Sequence, residues 1–255
     1  MSAGARRRWQ MAVRACAVPI PRNRLHARGD EVFVVASVSS SHPRPRLTLA
    51  TPATAFLVSP RHVMTAAHAL PEQGVPDLVY AFGYGAASVH AASADAPARV
   101  VFPAEAIFGL RSVAWRILSV LEGDAALIEL DREVPAALAQ PLVIASREPV
   151  LGEAIALLGF PEGGALAHAE GQMLGYDETW LDHDVEAGPG WSGAPVLDAR
   201  GEVLAVHTGT AVDGPLAMST FTGAMRRMRA GRFVALASAA SRSGHQVGEV
   251  SFRRQ

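Results

Sequence analysis

Gly188-Pro189-Gly190-Trp191-Ser192-Gly193-Ala194-Pro195-Val196 places a serine between glycines, after a Pro-Gly turn signal and before an apolar run with the composition of a strand. Glycine adopts backbone conformations closed to other residues and lets another chain approach closely. A serine on such a turn presents its hydroxyl to a cleft, with nearby backbone N–H groups pointing the same way. A nucleophilic serine with an oxyanion hole needs that arrangement. An ordinary loop serine fits the segment equally well, so the rest of the chain decides.

Working outward, the 255 residues permit one large domain or two small ones, and a hydrophobic content of 49% is enough for a sizeable core. Lys+Arg (23) and Asp+Glu (24) nearly balance, for a net charge of -1, so no basic excess points to a nucleic-acid partner. The arginines at Arg6-Arg7-Arg8 and at Arg226, Arg227, Arg229 and Arg232 read as solvated faces. Cys16 is the one cysteine, which excludes an intramolecular disulfide and argues against a Cys-based zinc site. No metal-ligand cluster, phosphate loop or dinucleotide fingerprint is found, so no cofactor or metal is expected. There is no apolar run of 18 residues, hence no transmembrane helix is expected. Arg6 to Pro19 begins like a secretory signal, but its apolar part is short and broken by Arg14. Residues 1–29 are therefore read as a flexible basic arm, and the compartment, secreted or periplasmic among others, stays open.

Short β-branched and aromatic runs follow at regular spacing: Val32 to Val38, Leu47 to Val58, Val63 to Thr65, Leu78 to Tyr84 and Ala98 to Phe102. Ile107 to Ser119 is ambiguous between helix and strand. Gly123-Asp124 opens Ala125 to Leu130, a mostly buried strand, and the proline-bearing Asp131 to Pro141 suits a linker between lobes. The second half repeats the pattern at Leu142 to Ala145, Ala154 to Phe160, Gly171 to Tyr176, Trp180 to Val185, Ala194 to Leu197, Val203 to His207 and Leu216 to Thr220. Such a series suggests an all-β barrel or sandwich. Only residues 221–238 change character, with Met225, Met228, Phe233 and Leu236 at helical spacing, and residues 239–255 read as a loose tail.

Three segments then stand out together. Thr65-Ala66-Ala67-His68 follows a strand, Asp124 opens a buried one, and Ser192 lies on the glycine turn, in the order His, Asp, Ser and about 55–70 residues apart. Thr-Ala-Ala-His, Gly-Asp-Ala-Ala-Leu-Ile-Glu-Leu and Gly-Trp-Ser-Gly-Ala-Pro-Val resemble the three catalytic boxes of trypsin-like (chymotrypsin-fold) serine peptidases. Phe56-Leu57-Val58-Ser59-Pro60 and Gly159-Phe160-Pro161 fit the same pattern. Without disulfides, and with its short Ser-Gly-Ala-Pro-Val ending, the chain looks most like the bacterial branch that includes glutamyl endopeptidases. The likeness spans roughly residues 31–235.

The resemblance implies two six-stranded antiparallel Greek-key β-barrels, 30–136 and 137–220, with the active site between them. It implies His68 as base, Asp124 as its orienting partner and Ser192 as nucleophile, with the N–H groups of Gly190 and Ser192 as oxyanion hole. It also implies a polypeptide substrate and a monomer.

Trp191 departs from the pattern. Animal digestive relatives keep an aspartate there to pair with a freed N-terminus, so no such zymogen switch is expected. Around the substrate side chain the clues conflict. His207, in Val206-His207-Thr208-Gly209, matches the histidine with which glutamyl endopeptidases meet an acidic side chain. Ala187 lacks the hydroxyl those enzymes place beside it, and Glu186 falls where trypsin-like enzymes keep an acid for Lys or Arg. A buried Glu186 would instead pair with His207 or a backbone N–H. A catalytically degraded chain of the same fold would bind peptides in the inter-barrel cleft without cutting them.

Overall fold

The structure, a computed structural model, describes residues 3–28, 31–36, 53–71, 77–83, 88–90, 98–119, 123–177, 180–210 and 217–221. Helix α1 (Ala3–Ala15) runs straight into β1 (Cys16–Pro21). The first half continues with β2 (Leu25–Arg28), β3 (Glu31–Ala36), β4 (Ala55–Ser59), β5 (His62–Thr65) and β6 (Leu78–Phe82). It closes with β7 (Ser88–His90), β8 (Ala98–Pro103), β9 (Ile107–Ser119) and β10 (Gly123–Leu130). The second half carries β11 (Ala154–Gly159), β12 (Ala167–Tyr176), β13 (Trp180–His183), β14 (Pro195–Asp198), β15 (Val203–Thr210) and β16 (Ala217–Phe221).

Two closed six-stranded antiparallel barrels result, ordered β1-β4-β5-β10-β9-β6 and β11-β12-β13-β16-β15-β14. Counted within each barrel, both orders read first, second, third, sixth, fifth, fourth, so one topology is used twice. Closure removes the exposed sheet edges that would template aggregation. A separate four-stranded sheet, β2-β3-β8-β7, grows from the connections of the first barrel. The sequence marks two of its strands, Val32 to Val38 and Ala98 to Phe102, but not that they leave the barrel.

The aromatic core of the first barrel holds Phe56, Tyr80, Phe82 and Phe108, with Phe82 and Phe108 edge to face at 5.5 Å between centroids. One apolar cluster runs on into the second barrel through Leu158, Phe160, Leu197, Val203 and Val206. Continuous burial between barrels explains why β10 is buried at nearly every position, with only Glu129 half-exposed, instead of alternating. Between the barrels the chain is irregular, and the Leu142 N–H donates to the Leu57 carbonyl at 2.8 Å.

The N-terminus corrects the expectation of a flexible arm over 1–29. Ala12 and Ala15 to Val18 are buried in the first barrel's core, and Trp9 and Val13 pack on it half-exposed. Trp9, Ala12, Val13 and Cys16 share the spacing of one helical face, and the intervening alanines and arginines are good helix formers. The arginines between them mask the stripe in the sequence. The first barrel accordingly begins at Cys16, before residue 30, and β1 is its first strand.

Ile107 to Ser119 is a strand. Leu142 to Ala145, expected as a strand, makes only a single bridge, Ile144 to Val203. The helix expected over 221–238 and the tail over 239–255 lie, beyond Phe221, outside the described residues. Among the described residues no helix is long and apolar enough to cross a membrane.

Candidate active site

β5 delivers His68. The strand ends at Thr65, and Ala67–Ala69 form one 3-10 turn that lifts the histidine off the barrel. Arg116 fixes the far side of that turn by donating to the carbonyls of Leu70 (3.2 Å) and Pro71 (2.6 Å). β10 pairs antiparallel with β5, with Ala126 opposite Thr65, so Asp124 lies just past the end of β5. There its carboxylate is gripped twice. The His68 N–H donates to Oδ1 at 2.9 Å, and the ring Nδ1 meets Oδ2 at 2.5 Å. This hydrogen bond raises the His68 pKa above the ordinary 6.5, desolvation works against it, and the carboxylate's charge adds to the rise. The His68 side chain is 40% exposed and that of Asp124 only 13%, so the imidazole is open to solvent and the carboxylate sits behind it.

The Ser192 turn is a pair of back-to-back β-turns. Trp191 N–H donates to the Gly188 carbonyl (3.2 Å) and Ala194 N–H to the Trp191 carbonyl (2.8 Å). Gly190 and Gly193, at the third position of each, have φ of +95° and +85°. Those values suit glycine and explain Pro189-Gly190 and Ser192-Gly193. Space demands glycine as well. A Cβ on Gly190 would collide with the Phe160 carbonyl and the Glu162 nitrogen, and one on Gly193 with the Thr54 carbonyl and the Thr65 hydroxyl. β15 flanks the turn. Gly193 N–H donates to the His207 carbonyl (2.7 Å), His207 N–H to the Ala194 carbonyl (2.8 Å), and the Ser192 hydroxyl to the Thr208 carbonyl (3.3 Å). The N–H groups of Gly190 and Ser192 donate to no other described group.

Trp191 is 7% exposed and belongs to the second barrel's core, where its ring lies against Gly159. An alanine at 159 would put its Cβ 2.7 Å from a Trp191 ring carbon. Trp191 thus packs as a wall beneath the serine turn. The sequence reading missed Thr54. This fully buried residue precedes β4 and bonds to the carbonyls of both Gly190 and Ser192. Its one sequence signal is a hydroxyl among small apolar residues, Ala53-Thr54-Ala55-Phe56.

Toward the expected substrate side chain, His207 is 2% exposed and stands beside the fully buried His183. Val185 N–H donates to His183 Nδ1 (3.2 Å), which assigns the His183 proton to Nε2, and that nitrogen lies 3.4 Å from His207 Nδ1. By this assignment the His207 proton sits on Nε2. Burial pushes His183 down to about 4. His207 falls to about 3 through burial first and then through the charges of His183 and His68, so both rings are neutral at physiological pH. Ala187 is half-buried against the second core and Thr208 and Gly209 are half-exposed. Glu186 is exposed, which removes the expected pairing of a buried Glu186 with His207. Among the residues whose side chains are described, no three potential metal ligands stand together.

Residues 53–206 match the trypsin-like peptidase domain family. By sequence comparison, no curated protein matches the chain. Among solved structures, the chain is similar to the inactive form of a serine-to-alanine mutant of Rv3671c from M. tuberculosis. The TM-score is 0.56 and the identity 17%, over 94% of this chain and 93% of that one. The active form of the Rv3671c protease gives 0.53 and 21%, over 86% and 81%. The serine endoprotease from Yersinia pestis gives 0.59 and 13%, over 92% and 68%. At these identities the likeness is one of fold, and it agrees with the two barrels described above. With more than half of its length matched by the family, this chain belongs to the trypsin-like peptidase domain family.

Proposed function

We propose that the protein is a serine endopeptidase that hydrolyses peptide bonds through an acyl-enzyme on Ser192. The observation that carries the reading is the double grip of Asp124 on His68, through backbone N–H and ring Nδ1. With Nδ1–H held by the carboxylate, Nε2 is the nitrogen left to act as base. His68 takes the Ser192 proton as Oγ attacks the scissile carbonyl carbon. The N–H groups of Gly190 and Ser192 hold the resulting oxyanion. His68 then protonates the leaving amine, and Asp124 stabilises the imidazolium throughout. In the second half-reaction water attacks the ester, gives its proton to His68 and releases the acid, restoring the Ser192 hydroxyl.

We also infer that the side chain before the scissile bond is acidic rather than basic. His207 falls where glutamyl endopeptidases place the histidine that meets an acidic side chain, and its carbonyl accepts the Gly193 N–H beside Ser192. Exposed Glu186 gives no buried counter-charge for Lys or Arg. Profiling on a peptide library tests both readings. Wild type should cleave after Glu or Asp, and Ser192→Ala and His68→Ala should not cleave. A preference for Lys or Arg would overturn the specificity, and cleavage that survives Ser192→Ala would overturn the nucleophile.

A further inference from the structure

Two residues supply the proposed oxyanion donors, Gly190 and Ser192, and the carbonyls of both are held by one residue of the other barrel. The Thr54 hydroxyl donates to the Gly190 carbonyl at 2.8 Å, and the Thr54 N–H donates to the Ser192 carbonyl at 2.8 Å. The same hydroxyl accepts the Phe160 N–H at 3.0 Å, so its single proton is committed to Gly190. The Thr54 carbonyl accepts the Thr65 hydroxyl at 2.7 Å, three residues before His68. Every polar group of Thr54 is therefore engaged, each by a segment that shapes the site.

The consequence is geometric. An oxyanion donor works only if its N–H points at the place where charge develops, and its direction follows the peptide plane. In a trans peptide the N–H is anti to the C=O. The Pro189 carbonyl accepts the Glu162 N–H at 2.7 Å and the Trp191 carbonyl accepts the Ala194 N–H at 2.8 Å, which orients the N–H groups of Gly190 and Ser192. Thr54 holds the planes on the other side of the same two residues. Gly190 at φ +95° has the freedom to flip, and the Thr54 hydroxyl opposes it. Glu162 braces the turn from an unusual conformation of its own, φ +53°.

We propose that Thr54 is a positioning residue of the oxyanion hole, locking the second barrel's serine turn to the strand that leads to His68. The proposal rests on the serine-peptidase reading above, and its test separates the two. The substrate is p-nitrophenyl acetate, which needs no specificity pocket, and the variants are Thr54→Val, which keeps the shape and loses the hydroxyl, and Thr54→Ser, which keeps the hydroxyl.

Thr54→Val should lower kcat about 10- to 100-fold with KM within about twofold, the scale of a misaligned catalytic group. The acid limb of its pH profile should stay with wild type, because His68–Asp124 is untouched. Thr54→Ser should recover to within about threefold of wild type. Wild-type kcat in Thr54→Val would overturn the proposal, as would a Thr54→Ser as impaired as Thr54→Val. If Thr54→Val fails to fold by near-UV circular dichroism, Thr54→Ala takes its place, and failure of both makes Thr54 structural and overturns positioning. A folded wild type that neither hydrolyses the ester nor reacts with a fluorophosphonate overturns the peptidase reading itself.

Discussion

Asp124 sits deeper in the protein than His68 and holds it by two atoms, so its removal is the sharpest single-residue perturbation. Asp124→Asn should lower kcat about 10⁴-fold by presenting the wrong tautomer, the scale of this substitution in chymotrypsin-fold peptidases. It should also move the acid limb of kcat/KM. Because Asp124 raises the His68 pKa above 6.5, His68 stays protonated, and inactive, to a higher pH than a free imidazole. The wild-type limb therefore lies above 6.5 and should shift downward in Asp124→Asn, which pH–rate profiles would show; an unmoved limb would separate His68 from Asp124. Gly193→Ala should lose activity and stability together, since φ +85° and the Thr54 carbonyl both exclude a Cβ, and a fully active Gly193→Ala would contradict the turn geometry. His68, Asp124 and Ser192 stand out together in the sequence because each lies in a local box of small and apolar residues. Thr54 does not, because its partners Gly190 and Phe160 stand 136 and 106 residues away and nothing local marks them.

Elements carry their own lessons. Strands such as β10 were legible from unbroken apolar runs, and Ile107 to Ser119 was not, because its apolar residues suit a helix face and a strand about equally. Pairing with β10 and β6 decided it. Helix α1 was hidden by its arginines, though Trp9 packs on the first core and meets His168 of the second barrel edge to face, 5.5 Å between centroids. Trp9→Ala should destabilise by about 1–3 kcal/mol, read by urea unfolding, and an unchanged midpoint would return the segment to a dispensable arm. In β6 the Tyr80 hydroxyl is fully buried with no hydrogen-bond partner among the described residues, and burial holds its pKa well above the ordinary value. Tyr80→Phe removes an unsatisfied group without changing ring volume. It should stabilise by about 1 kcal/mol, or roughly 2–4 °C in Tm, and a lower Tm would show that the hydroxyl has a partner.

At the scale of the molecule, two barrels of one topology bring His68 and Asp124 from one side and Ser192 and His207 from the other. The spacing of short strands left a barrel or a sandwich open, and the two barrels were implied by the resemblance that the boxes carry. The four-stranded side sheet was not, since strand composition does not say which sheet a strand joins. Burial also fixes the response to acid. His62, His183 and His207 are neutral in the folded chain, their pKa values lowered chiefly by desolvation. Below about 6.5 the unfolded chain takes up protons that these folded rings refuse, so stability falls with pH until about 4 and 3, where His183 and His207 titrate. His68 runs the other way, its contribution present below 6.5 and lost as pH rises through its raised pKa. Melting Ser192→Ala, which cannot digest itself, should show Tm falling by several degrees from pH 6.5 to 4.5, with a shallower fall in His183→Gln. A flat profile would contradict neutral buried histidines. The central claim is that Ser192 is a nucleophile activated by His68. Its most direct test is intact-mass and peptide-mapping analysis after exposure to a fluorophosphonate. The expected result is one adduct, mapped to Ser192, absent in Ser192→Ala and strongly slowed in His68→Ala. An unmodified, folded wild type, or an adduct on another residue, would contradict it.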